Sequence, residues 1–158
     1  MNRIPPPTPP SDTSKADRRP ADNFGRKRGV VGVIFRDERL LIIRRSLTVT
    51  APGKLCLPGG TMELGEVEHE TLVREMQEEL AIDVDPVRLC WRSVTPWGTI
   101  LAWWLARLDQ DVTPVPYEPE VSEYFWMKPD ELNSVNDVLP SLPAFVAAWR
   151  RGEIDLDH

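Results

Sequence analysis

The chain has little of the chemistry that staples small exported domains. Its 158 residues include two cysteines, Cys56 and Cys90, too few for a disulfide framework and without the paired spacing of a zinc site, so two reduced thiols are expected. No apolar run approaches the ~18 residues of a membrane span, and the first 30 residues lack the apolar centre of a secretory signal. The expected location is the cytoplasm, with no membrane partner. Bases are also scarce, 19 Lys and Arg against 25 Asp and Glu. Residues 1–28 hold seven bases and three acids, leaving 12 bases and 22 acids for residues 29–158. An acidic body lacks the clustered Lys and Arg that neutralise a nucleic-acid backbone, so nucleic acid is not expected as its partner. Phosphate binding through a metal is not excluded. A chain of this length buries roughly 70% of its unfolded surface, enough for one core without staples.

Residues 1–27 combine six prolines with charge and only Ile4 and Phe24 as sizeable apolar side chains, and cannot bury enough surface to offset their ordering entropy. They are expected to form a disordered basic tail, with the domain proper at 28–158. Val30–Phe35 and Leu40–Ile43, separated by Arg36-Asp37-Glu38-Arg39, predict a β-hairpin. A loop follows over 46–54, and Pro58-Gly59-Gly60 excludes a helix interior. Residues 66–81 lack Gly and Pro and are rich in helix formers, predicting a helix. Further strands are expected near 87–94, 99–108 and 122–127, and Pro143 in a first helical turn predicts a closing helix to about Arg151.

On a helical wheel, Leu72, Val73, Met76 and Leu80 share one side of the 66–81 helix, whereas Glu75, Glu78 and Glu79 crowd into one turn beside it. Like charges at these spacings repel by a few tenths of a kcal/mol per pair. Between Gly60 and Ile82 there are seven Glu and only Arg74 among the bases, and no Lys occurs from 55 to 127. A divalent cation balances such a cluster better than a solvated face does. Carboxylate oxygens beside a Gly-rich turn suit Mg²⁺, which completes its shell with water and substrate phosphates.

These same residues resemble the Nudix box, G-x5-E-x7-R-E-U-x-E-E-x-G-U. Gly60, Glu66 and Arg74-Glu75-Met76-Gln77-Glu78-Glu79-Leu80-Ala81-Ile82 fill it, except that Ala81 stands where the family has Gly. That Gly serves a helix-ending turn, where Ala would cost about 1 kcal/mol at positive φ. The flanking Leu-Leu-Ile-Ile-Arg-Arg, Leu-Pro-Gly-Gly and Glu-Tyr-Phe-Trp stretches extend the resemblance over about 29–135. It implies an α/β/α sandwich with a mixed sheet, in a single domain, and a MutT-like enzyme that hydrolyses a nucleoside diphosphate linked to another group with Mg²⁺ or Mn²⁺. Its small-nucleotide substrate is by default a (deoxy)nucleoside triphosphate. ADP-ribose or a dinucleotide is the alternative substrate, and a non-catalytic nucleotide sensor the alternative role. A homodimer is compatible with either.

Carried over by position, the resemblance implies that Glu75, Glu78 and Glu79 bind metal, that Glu78 or Glu79 orients or deprotonates water, and that Gly60 offers a carbonyl ligand. Glu66 binds metal through water or holds the loop, and Arg74 orients the glutamates. Glu120 corresponds to a loop glutamate that supplies the general base in some members, with Glu118 and Glu123 as rivals. Arg44 and Arg45 point to opposite faces of a strand, and one of them is a candidate for a substrate phosphate. Trp97 and Trp103 are candidates for base stacking, although Trp103 and Trp104 must face opposite sides, so at most one meets a pocket. His69, without a partner His, is expected to be structural.

Overall fold

A computed structural model describes residues 27–156. The expected tail lies outside them, apart from Lys27, whose carbonyl accepts from the Ile100 amide at 2.9 Å. The expected hairpin is formed by β1 (Arg28–Arg36) and β2 (Arg39–Arg45), and Asp37 and Glu38 at its tip both take positive φ, 51° and 65°. Such a pair matches the right-handed twist of the flanking strands. The two strands pair only near that tip, Phe35 with Leu40 and Arg36 with Arg39, and then part. Two short strands that alternation alone does not predict fill the opening. Leu55–Cys56 (β3) joins β2, and Gly59–Thr61 (β4) joins the start of β1.

β5 (Asp85–Val94) and β6 (Ile100–Arg107) form a second antiparallel pair, and β6 runs parallel to β1. β7 (Val121–Met127) runs antiparallel to β2 and completes a mixed seven-stranded sheet. Helix α1 (Glu68–Leu80) covers one face and α2 (Ser141–Arg150) the other. Residues Pro129–Ser134 form a short 3-10 turn between β7 and α2. The strand period of two sorts the core between the faces. Val30, Ile34, Leu41 and Ile43 meet Leu72, Met76 and Leu80 of α1. Val31, Val33, Leu40 and Ile42 meet Leu142, Phe145 and Val146 of α2, with Ile154 and Leu156 from the closing segment. The chain is thus an α/β/α sandwich, and no helix among the described residues is long and apolar enough to cross a membrane.

The alternation of Trp103 and Trp104 is realised, and it decides against Trp103 as a base-stacking residue. Trp103 falls on the α2 side, 1% exposed, and stacks on Phe145 with ring centroids 4.7 Å apart and planes 5° from parallel. Its indole N–H donates to Ser93 Oγ at 2.9 Å. The face it occupies is already filled by a helix, so no ligand surface remains there.

Helix α1 begins two residues later than expected because Glu66 and Val67 are used before it. The Glu66 carboxylate accepts from the Glu63 amide and the Thr71 hydroxyl, each at 2.8 Å, and Glu70 accepts from the Val67 amide at 3.1 Å. At the other end the amide of Ala81 donates to Gln77 and that of Ile82 to Met76, with Ala81 in the left-handed region at φ 53°, ψ 40°. This is the turn that glycine fills without a Cβ penalty. Ala81→Gly is therefore expected to stabilise the protein by about 1 kcal/mol, a rise of ~3 °C in Tm. Calorimetric melting of the two proteins checks it, and an unchanged or lower Tm would show that Ala81 carries no strain.

Candidate metal centre

The site is assembled where β1 and β2 part. The Pro58-Gly59-Gly60 run enters that opening, with the Pro58 carbonyl accepting from the Gly32 amide at 2.8 Å, and α1 lies directly above it. A Cβ on Gly60 would stand 2.1 Å from the Glu75 carboxyl carbon, so only glycine lets this carboxylate lie against the backbone. One turn further, Glu79 Oε1 accepts from the Gly59 amide at 3.2 Å. Both helix residues are buried, at 3% and 7% exposure.

A third carboxylate arrives from 41 residues downstream. The segment leading into β7 is stitched to the C-terminal end of α1, the amides of Val115 and Tyr117 donating to Leu80 and Glu79 carbonyls at 2.7 and 2.8 Å. It is tied on its other side to the loop after β2, where the Ser46 amide donates to the Glu120 carbonyl at 3.0 Å and the Thr48 hydroxyl to the Pro119 carbonyl at 3.1 Å. These contacts deliver Glu120, so that one oxygen each of Glu75, Glu79 and Glu120 lies within 4.8 Å of the others.

Burial, then repulsion from Glu75 and Glu120, holds the Glu79 carboxyl well above the usual carboxylate range, and Arg45 and the Gly59 amide only partly offset this. Burial likewise pushes the thiol of Cys56, in the core under α1, up to about 11, with Arg45 and Glu79 acting in opposite directions. It is a packed wall and not a nucleophile. A set of hard oxygens at this spacing fits a small divalent cation, since oxygens ~2.1 Å from Mg²⁺ on opposite sides lie ~4.2 Å apart. The excess negative charge that raises Glu79 is the charge a cation would remove.

The other expected site residues separate into two groups. Arg74 is the hub of a bracing network. Its guanidinium reaches Glu66 through Nε and Nη2, Glu75 at 3.2 Å, both Glu78 oxygens at 3.1 Å and the Thr61 carbonyl at 3.0 Å. Burial pushes Glu66 up, but hydrogen bonds from Arg74, the Glu63 amide and Thr71 outweigh it and hold the carboxyl below its usual range. Glu66 is thus in its loop-holding arrangement. Glu78, 42% exposed, sits against Arg74 and outside the group of three. Arg44 is spent on Glu123 at 2.8 Å and on the Gly53 carbonyl at 2.9 Å, which also removes Glu123 as a rival to Glu120. Arg45, beyond a register shift in β2, lies on the α1 side, anchored to the Thr50 carbonyl at 2.7 Å. Trp97 is exposed in the turn joining β5 to β6, and no contact among the described residues links it to the carboxylates. His69 is exposed at the edge of Trp104, ring centroids 6.0 Å apart. Counting bases near α1 in the sequence missed Arg28 and Arg92, which both reach Glu68 at 2.8 Å.

With this geometry in hand, similarity to known proteins is informative. The NUDIX domain family model matches residues 25–148. Nudix hydrolase 3 of Caenorhabditis elegans is 30% identical over 109 residues, 67% of this chain and 42% of that protein. The 8-oxo-dGTP diphosphatase of Escherichia coli is 40% identical over 53 residues, 33% of this chain and 41% of its own. The chain thus spans about two fifths of the length of these relatives. The crystal structure of the MutT protein of Methanosarcina mazei superposes with a TM-score of 0.69 at 21% identity, covering 80% of this chain and 94% of that one, which is a likeness of fold.

The raised Glu79 carboxyl fixes the sign of a pH effect. The native state keeps a proton that the unfolded chain releases near pH 4.5, so this group lowers stability progressively as pH rises from there through its folded value. Glu66 and Glu68, held below the usual range, are ionised above pH 5 and add no slope there. In EDTA the protein is expected to melt lower at pH 8 than at pH 5, and Glu79→Gln to flatten the difference. Parallel pH profiles of Tm for the two proteins would refute the assignment.

Proposed function

Because the chain belongs to the NUDIX domain family, we propose that it is a divalent-metal-dependent hydrolase of the diphosphate linkage in nucleotides, acting on (deoxy)nucleoside triphosphates and related small nucleotides. The observation that carries this reading is the convergence of Glu75, Glu79 and Glu120 on one point, two of them buried. The similarity to a protein named for a deoxynucleoside triphosphate supports the substrate class. So does the acidic body, which would repel a nucleic-acid backbone.

Glu75 and Glu79 would hold Mg²⁺ or Mn²⁺ together with Glu120, the Gly60 carbonyl adding a neutral ligand. Bound there, the cation supplies neutralisation of the charge that spreads over the phosphoryl oxygens in a metaphosphate-like transition state. The protein's own part is positioning. Arg74 locks Glu75 from behind and keeps Glu78 in reserve beside the site. Arg45 meets a substrate phosphate from the opposite wall. Glu120, on a loop and less buried than its partners, accepts the proton of the attacking water as its oxygen bonds to phosphorus. The bond from phosphorus to the bridging oxygen breaks in the same in-line step, and the departing pyrophosphate or nucleotide carries away the electron pair. Trp97, on its exposed turn, offers a stacking surface for a base.

Glu79→Gln is expected to lower kcat by at least ~10² and to weaken Mn²⁺ binding, measured by calorimetry, while the protein stays folded. Product release from a panel of nucleoside triphosphates, ADP-ribose and dinucleotides with Mg²⁺ identifies the substrate. Wild-type turnover and Mn²⁺ affinity in the variant would return the three carboxylates to a purely structural role.

A further inference from the structure

Glu68 opens α1 at a position the box motif leaves unspecified, yet three donors from the sheet hold its carboxylate. It accepts from Arg28 Nη2 at 2.8 Å, from Arg92 Nη1 at 2.8 Å and from the Trp104 indole N–H at 2.9 Å. Its side chain is 12% exposed. The three donors belong to β1, β5 and β6, which are adjacent in the sheet. The helix is therefore fastened across three strands at its first turn.

The spacing of Glu68, Glu75 and Glu79 matters as much as the contacts. At seven and eleven residues from the first, these three carboxylates fall within about 40° of one another on the helix. They form one row along the edge of the apolar stripe of Leu72, Met76 and Leu80. Apolar ridges alone tolerate small slides and rotations of a helix on a sheet, whereas a carboxylate held by three directed donors does not. The site beneath the other two members has no such tolerance, because the Glu75 carboxyl lies against Gly60 and Glu79 against the Gly59 amide.

We propose that Glu68 is a positioning residue: clamped by Arg28, Arg92 and Trp104, it sets the register of α1 over the sheet and so places Glu75 and Glu79 against Gly59 and Gly60. Its own charge is neutralised by protein, whereas that of Glu79 is only partly offset, by Arg45 and the Gly59 amide. This rests on the metal-site reading above for its effect on catalysis, but the mechanical part does not. A helix misplaced by ~1 Å is enough to cost about 10² in rate where reacting groups are fixed this closely.

The test uses the full chain with Glu68→Gln, which removes the charge shared by Arg28 and Arg92 at nearly constant shape, and Arg92→Met, which removes the more exposed donor should the first variant fold poorly. Leu142→Ala, in the opposite core, serves as a control for general loss of stability. In EDTA, hydrogen exchange at the Gly59 amide is expected to accelerate at least ~10-fold in both clamp variants and not in the control. With Mn²⁺, their binding constant should weaken at least ~5-fold and kcat fall ~10-fold at unchanged KM. Unchanged Gly59 exchange in the clamp variants, or an equal rise in Leu142→Ala, would overturn the positioning role. If exchange rises but wild-type protein binds no Mn²⁺, the metal-site reading fails and the clamp stands.

Discussion

The approach of two buried carboxylates to a pair of glycines is the constraint on which the rest of this structure depends. Glu75 rests on Gly60 and Glu79 on the Gly59 amide, and neither contact survives a side chain at Gly60 or a lateral shift of α1. The parting of β1 and β2 follows from the same requirement. Two strands paired along their whole length would leave no opening for the Gly-Gly segment, whereas strands that separate after the hairpin tip admit β3 and β4 between them. The helix is then pressed onto the opening from one side, and α2 seals the sheet from the other.

Around this contact, negative charge is handled in three ways. Glu66 is neutralised by Arg74 and by local donors, and Glu68 by two arginines and an indole. Glu79 is only partly compensated, by Arg45 and the Gly59 amide, and the proximity of Glu75 and Glu120 makes its ionised form still less favourable. Burying like charges with incomplete compensation is a cost that ordinary packing does not require. Its concentration at one point, where three carboxylates can share a small cation, is why the metal-dependent reading suits this chain better than a solvated acidic face.

Much of this was legible beforehand because it is written in local periods. The hairpin, the helix, the three later strands and the closing helix all follow from runs of β-branched residues, from the absence of Gly and Pro, or from a Pro in a first turn. Ala81 in place of glycine predicted a strained helix end, and φ at that residue is positive. β3 and β4 were not legible, since two- and three-residue strands in a Pro-Gly-Gly stretch carry no alternation to read. Nor was the partner of Glu68, because a search for bases close in sequence cannot find arginines 40 residues before it and 24 after.

The sequence by itself determined which residue types stand at helical spacing, and therefore that Glu75, Glu78 and Glu79 crowd one turn beside an apolar stripe. Only the tertiary structure decided which of them turn inward. Rotation of α1 over the sheet buries Glu75 and Glu79 and leaves Glu78 at the rim with Arg74, and the strapping of the loop before β7 to the end of the helix brings Glu120 to join them. The same holds for the adjacent arginines of β2. Alternation sends them to opposite faces, but only the positions of Glu123 and Glu79 in space put Arg44 in a surface ion pair and Arg45 near the Glu79 carboxylate. Spacing along a chain fixes direction relative to one element, whereas charge is compensated by whatever the fold brings within a few ångströms, and that is a property of the packed molecule.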